Sequence, residues 1–347
     1  MISSVNFDQL ERLLIQVNKI SISELEEKAA AAGVNLPIEQ TSAWVDYQVT
    51  IPGRSAWGCV ELTRDGETIA LASLFDYETH GYHYLRSAHG PVWCAERDDA
   101  LEAEAIEALA AFIRKEDKKV VFCRLAVASE PEGVCPVLST RPYNQTVVID
   151  LAGGTEEDIL GRMKPRGRRD VRKALRESPA ICADETELAL KSFEEHYDVM
   201  RETGERDGFV PAPCSDYEDM IRILGPEHCR VYAGRIDGRV VTWSIVTISG
   251  TRAVRYYGAS RSETMRQHVT DKLVLFECVD LFQNKGCADY DMMGIGSDFA
   301  PELMGLNEFK TKFAKNGVVD VAPDRDLVVK KTFYRALCAA KKLRDRS

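Results

Sequence analysis

No segment of the chain carries the ~18 consecutive apolar residues that a membrane-spanning helix requires, and the N-terminal stretch MISSVNFDQLERLLIQVNK lacks the basic start and unbroken apolar run of a secretory leader. A cytoplasmic location is the expectation. Pairs of the CxxC type are missing too: the ten cysteines (Cys59, Cys94, Cys123, Cys135, Cys182, Cys214, Cys229, Cys278, Cys287, Cys338) are scattered, with no Cys/His grouping at zinc-ligand spacing. Reduced, mostly buried thiols follow, and no metal site is expected. Nor is there an excess of positive charge. Against 45 Lys and Arg stand 55 Asp and Glu, a formal net charge of −10, which argues against a protein whose whole surface grips nucleic acid.

What is present is ordinary globular composition, 45% hydrophobic and 29% charged, over 347 residues, enough for two cores. Positive charge is concentrated in one place. From Arg162 to Arg176, RMKPRGRRDVRKALR sets eight Lys and Arg against the single Asp170. Two readings stay open: a solvated helix face, or a site for the phosphates of an anionic substrate or RNA.

Periodicity maps the rest. CVELTRDGETIALASLFDY (59–77) reads as two strands around Asp65-Gly66, a dipeptide suited to the positive φ angles of a tight hairpin. HGYHYLRSAHGPVW supplies a third strand. In 98–119, Leu101, Ile106, Leu109 and Ile113 recur at helical spacing, and VVFCRLAV follows as a buried strand. The second half repeats this order, with a meander (229–260) turning at Asp237-Gly238, a helix (268–286) and the strand CADYDMMGI. Turn and helix are both offset by about 170 residues, which points to tandem duplication of one mixed α/β domain.

The boundary is expected near Gln145, with domain 1 over 1–145 completed by 322–347 and domain 2 over 146–321. After a Gly153-Gly154 break, Thr155 is placed to cap a helix whose first turn holds Glu156, Glu157 and Asp158. The segment 326–347 reads as a closing helix with a basic end.

A meander, a helix and a strand at which the sheet splays is the order of GNAT-type acyltransferases. Two such units joined by TVVIDLAGGTEEDILGRMKPRGRRDVRKALRE, followed by ETGERDGF (202–209), VRYYGAS (254–260), GCADYDMMGI (286–295) and GLNEFKTKF (305–313), resemble the FemABX family of aminoacyl-tRNA-dependent peptidyltransferases. The resemblance spans nearly the whole chain, in a short form without a coiled-coil arm. It implies transfer of an amino acid from aminoacyl-tRNA to an amine on the stem peptide of a peptidoglycan precursor, lipid-linked or UDP-linked. A monomer is expected, with peripheral membrane contact if the precursor is lipid-linked.

By the same resemblance, Lys310 of the Phe309-Lys310 dipeptide stabilises the oxyanion, Phe309 lines the channel, and Tyr257 faces the acceptor. Tyr256 is then expected on the opposite face of its strand, and Lys312 at the surface. Arg166, Arg168, Arg169, Arg172 and Lys173 become candidates for tRNA phosphates, and Arg206 for substrate binding or an ion pair with Asp207. One departure stands out. The arginine and tyrosine that hold the acceptor diphosphate in short members fall on Ala212 and Asp216 here, leaving Tyr217 as the nearest substitute.

Two rivals remain. An acyl-CoA N-acyltransferase needs a glycine-containing pyrophosphate loop before its helix; WCAERDDALEAE and GASRSETMRQHVTDK lack the required glycines, so coenzyme A is disfavoured and no cofactor is expected. A non-catalytic protein that binds tRNA or wall precursors is the other.

Overall fold

The computed structural model describes residues 15–137 and 141–344. The residues on which the reading of a missing leader chiefly rests, and the last of the basic C-terminal run, lie outside these. The chain divides into two compact units, 1–142 with 322–347, and 143–321.

The first unit is a mixed sheet of β1 (Gln16–Ile20), β2 (Arg54–Arg64), β3 (Glu67–Thr79), β4 (Tyr82–Ser87), β5 (Val92–Trp93), β6 (Val120–Ala126) and β7 (Val134–Pro136), with the strand Asp324–Val328 inserted between β6 and β7. Two residues join β2 to β3, and both have positive φ, 54° at Asp65 and 84° at Gly66, as an Asp-Gly hairpin requires. A helix, Asp99–Glu116, is capped by the Asp98 side chain. It buries Ile106, Leu109 and Ile113 against Val60, Leu62, Leu85 and Cys123 of the sheet.

At the C-terminus the expected single helix is corrected. Residues 326–328 are strand, because Leu327 and Val328 suit a ladder and pair with β6; the helix starts only at Lys331.

Next to the pairing of β4 with β6, the Gln40 side chain seals the sheet. Its amide donates to Ser87 Oγ (3.1 Å) and the Ala88 carbonyl (2.7 Å), and its oxygen accepts from the Ser73 N–H. The parallel pair runs from His83 to Ser87, and Ala126 N–H then donates to the Gly90 carbonyl at 2.7 Å. The strands stay bridged to their ends.

The second unit repeats the plan with β8 (Gln145–Asp150), β9 (Ile181–Asp184), β10 (Cys229–Ile236), β11 (Arg239–Ser249), β12 (Arg252–Ser260), β13 (Asp289–Gly294) and β14 (Val318–Asp320), in the order β14-β8-β13-β12-β11-β10-β9. Asp237 and Gly238 again take positive φ, 49° and 78°. The helix Val269–Gln283 buries Leu273, Val274, Cys278 and Leu281 on this sheet. Thr155 caps the helix Glu156–Arg162 in a reciprocal box with Asp158.

Here β12 and β13 pair in parallel over only three residues, Arg252–Val254 with Asp289–Asp291. Beyond that the strands part. Ile245 of β11 pairs with Tyr257 and its neighbour Val246 with Arg255, so Tyr256 is an extra residue in β12; on β13, Met293 takes φ 61°.

Candidate active site

The parted strands open a cleft of about 590 Å³ within the second unit. One wall is β12 from Arg255 to Ser260, another is Met292 and Met293, and the segment 305–312 closes it from the far side. That segment is helical: a tight turn, Pro301–Leu306, leads into Asn307–Lys310 and then Thr311–Phe313. Asn307 holds it in place. Its side-chain oxygen accepts the Gly296 N–H at 2.7 Å and its amide donates to the Gly296 carbonyl at 2.9 Å. Only glycine fits at 296, since a Cβ would lie 2.3 Å from the Met304 nitrogen.

Lys310 lines the cleft and is partly buried. Among the described residues its ammonium donates one hydrogen bond, to the Gly294 carbonyl at 2.8 Å. Two N–H bonds remain for a ligand. Burial, and then the nearby Arg255 charge, push its pKa down to about 8. Arg255 is fixed in turn: its Nη1 donates to Glu277 at 2.7 Å and 2.5 Å, while Tyr290 and Ser244 hydroxyls donate to the same carboxylate. A buried ion pair therefore sits next to the lysine and holds a positive charge beside it.

Lys312 overturns the expectation of a surface residue. It is only 9% exposed, its Nζ 2.7 Å from Asp271 Oδ2 and 3.8 Å from Asp170 Oδ2, and 5.3 Å from the ring centres of both Phe309 and Phe313. The reason is charge balance. Two carboxylates, one from the helix Pro165–Glu177 and one from the helix Val269–Gln283, meet inside the protein and need a cation between them.

His268 lies against the same group, Nδ1 3.0 Å from Asp271 Oδ2. Asp170, His268 and Asp271 bring potential ligand atoms within 4.8 Å of one another, the sole grouping of that kind among the described residues. Sequence spacing did not show it. The Lys312 ammonium already supplies its positive charge, so the cluster does not call for a metal.

Tyr256 and Tyr257 were expected on opposite faces. Both line the cleft, their rings 5.3 Å apart, because the extra residue in β12 breaks the alternation between them. Phe309 lines it too. Arg206 reaches the cleft while donating to both Asp207 oxygens and to the Ser260 carbonyl.

Tyr217 does not stand in for the absent clamp. It is 4% exposed, stacked on Phe193 and edge-on beneath Tyr257, and burial pushes its phenol up to about 12. Its place is under the floor. At the two clamp positions, the Ala212 carbonyl accepts from the Tyr197 hydroxyl, and Asp216 lies in the first turn of the helix Cys214–His228.

The basic stretch forms the helix Pro165–Glu177, which buries Gly167, Asp170, Val171 and Ala174 and turns its cations outward. Most of them are paired: Arg166 with Glu308 and Asp170, Arg169 with Asp170 (3.2 Å), Arg172 with Glu157 (2.9 Å) and Lys173 with Glu177 (4.0 Å). The patch is weaker than its sequence suggests. Among the described residues, Arg168 has no carboxylate partner, and Arg166 is the member of this group that lines the cleft.

Residues 165–311 match the acetyltransferase (GNAT) domain family. No curated protein matches the chain. Among solved structures, FemX is similar over 92% of this chain and 99% of its own, with a TM-score of 0.70 at 16% identity. The C-terminal domain (DUF2156) of a putative lysylphosphatidylglycerol synthetase from Agrobacterium fabrum is similar over 89% and 93%, TM-score 0.53, 12% identity. A tandem GNAT protein from the clavulanic acid biosynthesis pathway follows over 91% and 98%, TM-score 0.50, 12% identity. The chain is thus a tandem pair of GNAT-like α/β domains. Within that class its fold is FemX-like.

Proposed function

We propose that the chain is an aminoacyltransferase that moves an amino acid from the 3′ ester of an aminoacyl-tRNA to an amine on the stem peptide of a peptidoglycan precursor. The observation that carries this reading is Lys310, a partly buried ammonium in an open cleft with two donors unspent. An aminoacyl ester is already activated, so the protein has to align it with the amine and stabilise the oxyanion of the tetrahedral intermediate. A donor fixed for that purpose is worth about 3 kcal/mol.

The rim favours a lipid-linked acceptor. Met265 and Leu306 line the cleft yet are 54% and 40% exposed, an apolar edge suited to a lipid chain. Donor phosphates would meet Arg166 and Arg168, at the start of the basic helix.

Coenzyme A suits this cleft less well. The helix Val269–Gln283, which would have to receive the pyrophosphate, is preceded by a 3-10 turn without glycine (Ser262–Gln267) and carries Asp271 in its first turn.

The test is incubation of the full chain with pools of charged tRNA and with lipid-linked or UDP-linked precursor, scored by mass gain, with acetyl-CoA as a parallel donor. Gain from tRNA, lost in Lys310→Met, supports the proposal. No gain with any amino acid, or gain from acetyl-CoA alone, overturns it.

A further inference from the structure

We propose that His268 is the acid–base catalyst of this cleft, with Asp271 and Lys312 as its positioning residues. The inference rests on the acyl-transfer reading above and adds the group that handles the proton.

His268 lines the cleft alongside Lys310, and its side chain is 28% exposed. Its Nδ1 meets Asp271 Oδ2 at 3.0 Å, and the same oxygen accepts from the Lys312 ammonium at 2.7 Å. A carboxylate in an ion pair accepts, so in the neutral imidazole the ring proton sits on Nδ1 and the lone pair on Nε2. Nε2 makes no hydrogen bond to any described residue. The tautomer is therefore the one a base requires, and it is set by a carboxylate that a buried lysine holds in place.

The backbone adds an independent observation. His268 has φ 56° and ψ 29°, the left-handed region that side chains other than glycine seldom occupy, directly at the start of the helix Val269–Gln283. Such strain persists where the surroundings over-determine it, and it clusters at functional sites. Asp271 N–H and Lys272 N–H both donate to the His268 carbonyl, which pins the residue in this conformation.

The amine must lose a proton and the ribose oxygen must gain one. The neutral amine attacks the ester carbon, forming the N–C bond as the carbonyl π pair moves to oxygen, where Lys310 donates to it. The nitrogen, now positively charged, gives a proton to Nε2 of His268. When the oxyanion collapses, the C–O bond to the ribose breaks, and Nε2–H returns the proton to the leaving oxygen. Amide and deacylated tRNA result, and the imidazole ends as it began.

The experiment compares wild type, His268→Gly and His268→Asn in the mass-gain assay, using unfractionated charged tRNA and lipid-linked precursor. Both replacements accept positive φ without strain. Loss of rate by ~10²-fold or more in both, with thermal unfolding unchanged, is expected for a general acid–base group. Added imidazole should restore His268→Gly at least tenfold, which a structural role would not allow. Wild type active and His268→Asn within threefold of it overturns the acid–base role while leaving the transferase standing. A loss that imidazole does not relieve also overturns it. Wild type inactive with every donor overturns the transferase itself, and the proton role with it.

Discussion

A lysine held at a pKa of about 8, when its ordinary value is 10.5, is a charge kept against resistance. If Lys310 donates to an oxyanion it must be charged, so kcat/KM is expected to fall as pH rises through about 8; a rise through the same range would make it a base instead. Stability runs the other way. Between about 8 and 10.5 the unfolded chain binds the extra proton, so the fold gains stability as pH rises across that window, and below it the full penalty, on the order of 3 kcal/mol, applies. Lys310→Met removes that penalty and loses one hydrogen bond worth about 1 kcal/mol. The variant should be inactive yet the more stable protein at pH 7 by roughly 2 kcal/mol in urea unfolding, a margin that disappears by pH 10.5.

Lys312 gives the opposite outcome from a position two residues away. Its removal takes the lysine cation from the buried Asp271, while Asp170 keeps Arg166 and Arg169, a loss on the order of 3 kcal/mol. Lys312→Met is expected to unfold well below the wild-type melting temperature. An unchanged melting curve would show that the two carboxylates do not depend on it.

At the scale of elements, the helix Pro165–Glu177 touches the turn that carries both lysines. Lys164 N–H donates to the Lys312 carbonyl at 3.0 Å, and a Cβ at Gly167 would lie 2.3 Å from that same oxygen. Gly167→Ala should force the two apart at about 1–3 kcal/mol, read as a lower melting temperature together with a higher KM. For the outward face, Arg168→Glu, Arg169→Glu and Arg172→Glu together should weaken binding of tRNA. The slope against salt should fall by about one ion rather than three, because Asp170 and Glu157 already occupy Arg169 and Arg172. Affinity unchanged by the triple substitution removes the helix from the tRNA surface.

These elements also show where sequence is legible. Asp65-Gly66, Asp237-Gly238 and the Thr155 cap are local signals, and the structure forms them as read. Lys312 was misread because its partners sit on two helices remote in sequence, and no spacing rule links them. The pairing of Tyr256 with Tyr257 in one cleft depends on a single extra residue in β12, which leaves no mark in composition. Nothing in the sequence singles out His268; its contact with Asp271 inside the cleft, at a positive φ, is visible only in coordinates.

At the scale of the whole molecule, the two units share a plan and differ at the parallel strand pair. In the second, β12 and β13 separate after three residues and a cleft opens. In the first, β4 and β6 remain bridged as far as Gly90, and the buried Gln40 amide ties Ser73, Ser87 and Ala88 across the place where an opening would start. Among the described residues, the first unit shows no matching gap at this strand pair. The consequence is one of counting: a non-hydrolysable aminoacyl-tRNA analogue should saturate at one equivalent per polypeptide in a calorimetric titration, and a second equivalent would mean that the Gln40 seal yields.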